Sequence, residues 1–380
     1  MEAPKEKTKL SYDSLWKFII RPERDIYTED LLGYSIFSLK GKTYTRKDYE
    51  LISSEGYKMK CSFFEPEDSS RPKFIMPVIL YLHGNCSSRL EGISLQKEIL
   101  KREINLFVVD FPGCGLSEGE YISLGYHESH DVKILVDFIS KLPGVGNIGI
   151  WGRSMGAATT MIYAHKDKRV KAICLDSPFA DFNLLAKDLV LTKITIPKFL
   201  IDGALKIVRM IVKKKNGLDI DKLKPIDAAP KTTQPVLFIH ANEDELINNK
   251  HSEMLLKAYK GKDKTLEKCK GGHNTKRPSK IMRKIGEFFL SNLFGEKKEE
   301  KKLKVVGNIF ENFNFEPEEN IINNKENEKN ELDKSSSTNS TDNEIENKEE
   351  PLKEEIKGNE MDKLKDELTK CFKIDEEKKE

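Results

Sequence analysis

Three residues far apart in the chain each follow a strand-like run, and together they could do chemistry: Ser154, Asp244 and His273. Ser154 stands in Gly152-Arg153-Ser154-Met155-Gly156, a G-x-S-x-G pattern. An apolar segment, Ile148 to Trp151, leads into it, and a run of small residues, Ala157 to Ala164, leads out. A strand, a sharp turn and a helix in that order would hold the serine at a strained backbone angle, with its hydroxyl clear of the sheet. Side chains at 152 and 156 would collide where strand and helix cross, so both positions call for glycine. The first N–H groups of the helix would face the serine and stabilise negative charge there. Taken alone, the five residues would also fit a glycine-rich turn with an idle serine.

A serine hydroxyl becomes a nucleophile when a base takes its proton, and the base needs a carboxylate to orient it. In a parallel α/β sheet such groups lie on loops at the carboxyl ends of strands. Asp244 follows the apolar run Pro235 to Ala241; Glu243 and Glu245 are its rivals, and Asp244 is preferred because it lies four residues past His240 at the strand end. His273 follows Thr265 to Cys269, just beyond Gly271-Gly272. The turn His83-Gly84-Asn85 follows Pro77 to Leu82, and the Asn85 N–H can pair with that of Met155 as an oxyanion hole. The chain order is Ser, Asp, His. Asp176 also ends an apolar run and is the fallback acid. His83 and His240 precede their turns and read as structural, as do His130 and Asp131 inside a helical run. No Cys or His cluster has metal-ligand spacing and no phosphate-binding glycine loop occurs, so neither metal nor cofactor is expected.

The elements that must position these residues can be read in order. Tyr49 to Ser53 and Lys58 to Phe64, around Glu55-Gly56, predict an antiparallel hairpin. Pro77–Leu82, Asn105–Phe111, Ile148–Trp151, Val170–Leu175, Pro235–Ala241 and Thr265–Cys269 read as strands, several of them the continuous apolar runs of a sheet buried on both faces. Helical patterns lie between them at 90–101, 127–142, 157–164 and 251–259, and an amphipathic helix at 278–294 closes the series. The expected fold is α/β: a mostly parallel, doubly wound, eight-stranded sheet. Residues 180–228 interrupt the alternation with two apolar helical segments, 184–191 and 199–212, and read as a helical lid. Leu189, Val190, Ile194, Ile196, Phe199, Leu200, Leu205, Val208, Ile211 and Val212 cannot all face one way. Their surplus could line an acyl pocket, with Lys213, Lys214 and Lys215 at its rim.

The 380 residues are 38% hydrophobic and 34% charged, which predicts a folded part and a solvated part. Residues 1–45 form a lead expected to pack on the domain, 46–295 the catalytic domain, and 296–380 a charged, largely disordered tail with a possible short helix at 360–372. A net charge of +2 and the lack of any nucleic-acid motif argue against nucleic-acid partners. No apolar run is long enough to span a membrane, though the rim lysines could meet an anionic headgroup or a membrane surface. Six cysteines without paired spacing, and no signal sequence, predict a cytoplasmic protein with reduced thiols; Cys86 and Cys114 fall in loops near the expected site.

Six stretches carry a family resemblance: Tyr81–Asn85, Asp110–Ser117, Trp151–Gly156, Leu175–Phe179, His240–Asp244 and Gly272–Asn274. With them, residues 47–294 resemble an α/β-hydrolase of the serine aminopeptidase S33-like group. More narrowly they are similar to the alpha/beta hydrolase domain-containing 17 group. The resemblance implies Ser154 as nucleophile, Asp244 as acid and His273 as base. Animal members of that group that remove palmitate carry a cysteine-rich N-terminus; residues 1–45 contain no cysteine. The expectation is a serine hydrolase acting on a small-molecule or acylated ester or thioester through an acyl-enzyme. An idle adaptor that binds partners through its tail is one alternative. An aminopeptidase, with Asp188 or Asp202 holding the substrate amine, is another.

Overall fold

The structure, a computed structural model, describes residues 16–17, 19–193 and 198–294; within 190–193 and 198–205 it describes the backbone alone. The chain divides into two units, Met1–Lys298 and Glu299–Glu380, and the described residues all belong to the first. The tail at 296–380 and its helix at 360–372 lie outside the described residues, as do the lid side chains of Val190, Ile194, Ile196, Phe199, Leu200, Asp202 and Leu205.

A single sheet runs through the unit in the order β1-β2-β3-β5-β4-β6-β7-β8-β9. Three antiparallel strands, β1 (Ile36–Leu39), β2 (Lys42–Ile52) and β3 (Lys58–Pro66), form one wing. β3 pairs antiparallel with β5 (Asn105–Val109), and from there every pairing is parallel. The parallel strands are β5, β4 (Met76–Leu82), β6 (Val145–Arg153), β7 (Val170–Asp176), β8 (Val236–Ala241) and β9 (Lys264–Cys269).

The α/β class and the parallel sheet stand as expected, but among the described residues the sheet has nine strands and not eight. The additional one is β1, inside the stretch assigned to the lead. Its four residues alternate exposed and half-buried, so it has no buried apolar run to announce it. It is an edge strand tied to β2 through Lys40 and Gly41, whose φ values of 50° and 76° suit a two-residue hairpin turn. β2 likewise begins at Lys42, well before Tyr49; its first half is polar and mostly half-buried, with Tyr44 alone fully buried, so no apolar run marks it.

Alternation along the parallel strands feeds two cores, one on each face. Val78, Leu80 and Leu82 of β4 point into one; Ile79 and Tyr81 point into the other. The first core is covered by α3 (Glu128–Ile139), α4 (Met155–Ala164) and α7 (Lys250–Ala258), through residues such as Val132, Met161 and Leu255. The second is covered by α2 (Gln96–Leu100) and α8 (Ser279–Leu293), through Ile99, Ile285 and Phe289. The helix expected at 90–101 is broken into α1 (Leu90–Ile93) and α2. Between β7 and β8 lie α5 (Phe182–Lys193) and α6 (Lys198–Asn216), whose Val208 and Val212 are buried in the first core. Lys215 sits over the Trp16 ring, 4.5 Å from its centroid, so one of the three supposed rim lysines already has an aromatic partner.

The lead is stitched to the loops that follow β4 and β5. Arg24 donates to the carbonyls of Gly113 and Ser117, Ser88 donates to Asp25, and the Tyr27 hydroxyl donates to Asp110 at 2.7 Å. Arg89, 1% exposed, completes this buried knot with Tyr27, Ser62 and Asp110. Parallel register then places the ends of β4, β6, β7, β8 and β9 at one edge: Leu82 beside Gly152, Arg153 beside Asp176, and Ala241 beside Cys269.

Candidate active site

Ser154 lies between the end of β6 and the start of α4 with φ 51° and ψ −112°, a conformation that costs a non-glycine residue about 1–3 kcal/mol. The surroundings over-determine it. Its N–H donates to the Asp176 carbonyl at 2.8 Å, and its own carbonyl accepts from the N–H groups of Ala157 and Ala158. A Cβ at Gly152 would come within 2.1 Å of the Gly156 carbonyl oxygen, and one at Gly156 within 2.1 Å of the Leu82 carbonyl oxygen. Neither atom can yield, because both belong to backbone, so the two glycines let β4, β6 and α4 converge beneath the serine.

His273 meets Ser154 from the β9 side, with Nε2 3.0 Å from Oγ. Its Nδ1 lies 2.8 Å from Asp244 Oδ2. A carboxylate only accepts, so Nδ1 carries the proton and Nε2 is left to receive that of the serine. His273 is 4% exposed, and the Asp244 side chain is fully buried. Asp244 Oδ1 accepts the N–H groups of Leu246 and Ile247 at 3.0 and 2.8 Å. Burial by itself would raise the Asp244 pKa, but hydrogen bonds from His240, His273 and the Ile247 N–H outweigh it and hold the carboxyl well below the usual carboxylate range.

The rivals of Asp244 have other partners. Glu243 accepts the Gly271 N–H, and Glu245 accepts the His273 N–H at 3.0 Å, so both brace the histidine loop by its backbone. Asp176, the fallback acid, is gripped by Arg277, whose Nε reaches both carboxylate oxygens at 3.0 Å. The same guanidinium donates to the carbonyls of Gly272 and Thr275. Asp176 therefore anchors the loop that carries the histidine and does not touch the imidazole.

The histidines read as structural bridge loops. His83 Nδ1 donates to the Gly84 carbonyl, and its Nε2 accepts the Phe111 N–H. His240 Nε2 faces the Ile247 carbonyl at 2.8 Å and therefore holds a proton, while Nδ1 accepts from Ser252 at 2.6 Å. That Nε2 also lies 3.4 Å from Asp244 Oδ2. Asp131, on α3, accepts from Ser54 of the β2–β3 turn.

The turn after β4 packs against Ser154: a Cβ at Gly84 would lie 3.7 Å from Ser154 Cβ. The Gly84 N–H donates to Glu91, whereas among the described residues no hydrogen bond is formed by the N–H of Asn85 or of Met155. Cys86 is exposed and Cys114 buried, and burial pushes the Cys114 thiol up. Among the described residues no group of three or more His, Cys, Asp or Glu could hold a metal ion. Sequence reasoning missed Glu91, Arg153 and Arg277. Arg153 sits inside the serine pattern and Arg277 four residues beyond the histidine, yet only their distant partners give them meaning. An arrangement of this kind can deprotonate the serine, hold a cationic imidazole and present two N–H groups to a developing oxyanion.

Comparison with known proteins bears on the fold. Residues 77–200 match the family described as alpha/beta hydrolase fold. The chain is 27% identical over 251 residues to the uncharacterized protein YqkD of Bacillus subtilis, covering 64% of this chain and 79% of that one. It is also 27% identical to the alpha/beta hydrolase domain-containing protein WAV2 of Arabidopsis thaliana, covering 55% of this chain and 65% of that protein. A shorter stretch, 29% of this chain and 30% of the other, is 32% identical to the lysophosphatidylserine lipase ABHD12 of Danio rerio. Among solved structures, an esterase from Pyrococcus furiosus superposes with a TM-score of 0.55 at 20% identity, covering 73% of this chain and 99% of that one, a likeness of fold. The matched segment and the sheet order agree, and the chain has the α/β-hydrolase fold.

Proposed function

We propose that the protein is a cytoplasmic serine hydrolase that cleaves a carboxylic ester or thioester through an acyl-enzyme. The observation that carries this reading is the hydrogen-bonded chain from Ser154 through His273 to Asp244, at 3.0 and 2.8 Å. Ser154 Oγ attacks the carbonyl while His273 Nε2 takes its proton. Asp244 keeps the imidazole in the required tautomer and stabilises its cation. The N–H groups of Asn85 and Met155 take the oxyanion. His273 then protonates the leaving group and activates the water that releases the acid. The likeness to the alpha/beta hydrolase domain-containing 17 group belongs to this proposal, as does a preference for acyl chains longer than acetyl. The aminopeptidase reading loses support because Asp188 is already paired, with Lys250 at 2.7 Å and with His251. Among the described residues no helix is long and apolar enough to cross a membrane.

The test is labelling with a fluorophosphonate, then kcat/KM on p-nitrophenyl esters and acyl thioesters of graded length. Ser154→Ala should lose the label and lower kcat on the order of 10⁴-fold or more. Label retained on the alanine variant would move the nucleophile elsewhere. Each added methylene should raise kcat/KM about three- to fourfold until the pocket is full, since burial contributes about 0.8 kcal/mol per methylene. A flat profile would point to small polar esters.

A further inference from the structure

Glu91 and Arg153 form a close ion pair beneath the site. Their side chains are 18% and 19% exposed, so the pair is largely screened from solvent. One oxygen of Glu91 pairs with Arg153 Nη1, and the other accepts the Gly84 N–H at 3.0 Å. Arg153 Nη2 donates to the His273 carbonyl and to Asn274 Oδ1, both at 3.0 Å. Arg153 is also the residue immediately before Ser154. One carboxylate and one guanidinium therefore touch the turn after β4, the serine turn after β6 and the histidine loop after β9.

We propose that Glu91 and Arg153 are positioning residues that hold the oxyanion turn, the nucleophile and the imidazole in mutual register; this rests on the serine-hydrolase reading. The planar guanidinium suits the task because its fixed fork can serve a carboxylate on one side and two oxygens on the other. Glu91 occupies the Gly84 N–H, which leaves the next N–H, that of Asn85, for the substrate. A bare carboxylate so near the site would oppose a developing oxyanion, and with little water to screen it the opposition would be strong. Arg153 cancels that charge. The two residues should therefore fail unequally. Losing Arg153 frees the histidine loop and also exposes the Glu91 charge. Losing the Glu91 charge alone keeps an acceptor for Gly84 and adds no anion.

The experiment measures fluorophosphonate labelling rate, kcat and KM on p-nitrophenyl butyrate, and thermal unfolding. It uses the full chain, Glu91→Gln, Arg153→Met and the double variant. Arg153→Met should slow labelling and kcat on the order of 10²-fold, the scale of a misplaced catalytic group. Glu91→Gln should cost roughly tenfold, and KM should stay within about threefold of wild type. The double variant should be faster than Arg153→Met alone, because the unpaired anion is gone. Should Arg153→Met fail to fold, Glu91→Gln alone decides: wild-type labelling and kcat in that variant overturn the proposal. A loss confined to KM, or a double variant slower than Arg153→Met, also overturns it. If wild type is not labelled at Ser154, the serine-hydrolase reading falls and takes this inference with it. Label on Ser154 with unchanged rates in every variant sinks the positioning role alone.

Discussion

At the scale of single residues, two aspartates at neighbouring strand ends have been separated by their partners. Asp244 holds the imidazole and Asp176 holds Arg277. Asp244→Asn should lower kcat by about 10⁴-fold, because an amide there favours the wrong tautomer. Asp176→Asn should lower kcat by roughly tenfold but destabilise the fold, since removing one partner of a buried ion pair costs about 3–5 kcal/mol. Thermal unfolding and kcat on one soluble ester separate the two effects. An unchanged melting temperature with a kcat loss as large as that of Asp244→Asn would exchange their roles. The structure brings Ser154, Asp244 and His273 within hydrogen-bond reach, and each could be picked out in the sequence because it follows a strand, in that order. Arg277 and Asp176 lie 101 residues apart, and Arg153 and Glu91 lie 62 apart. No local pattern marks pairs that only the folded sheet brings together.

At the scale of elements, helix α3 and the β2–β3 hairpin share a buried carboxylate. Asp131 Oδ1 accepts both the N–H and the hydroxyl of Ser54 at 2.7 Å. Burial pushes its pKa up to about 6; the bonds from Ser54 pull the other way, and Glu128 and Glu55 add to the rise. The unfolded chain ionises this group near the ordinary aspartate value of about 3.9. Between roughly pH 4 and pH 6 the unfolded state therefore gives up a proton that the folded state keeps, and this group's contribution to stability falls as pH rises. Asp131→Asn removes that penalty and keeps an acceptor oxygen. The melting temperature of the variant minus that of wild type should grow by about 5–9 °C from pH 4 to pH 7. A difference that stays constant with pH would mean the group titrates normally. The same contrast between buried and exposed explains which elements the sequence disclosed. β4 and β5 are continuous buried apolar runs; β1 alternates exposed and half-buried positions, and the first half of β2 is polar with Tyr44 alone fully buried.

At the scale of the whole molecule, the question is where the folded unit stops needing chain. α8 is the last described element, and it closes the second core with Ile281, Ile285, Phe289 and Leu293. Its end is tied down: Asn147 Nδ2 donates to the Leu293 carbonyl at 2.7 Å, and the Phe294 ring packs edge-on against Phe74 at 6.0 Å. Beyond 296 the sequence is dominated by Lys, Glu and Asn. A chain ending at Phe294 should therefore melt within about 3 °C of the full chain, because each 1 kcal/mol lost from a domain of this size shifts the melting temperature by about 2–4 °C. Its fluorophosphonate labelling should stay within about twofold, since the residues around Ser154 lie on loops between β4 and α8. Insoluble protein, or labelling slowed more than tenfold, would show that the tail supplies contacts the sheet and its helices do not.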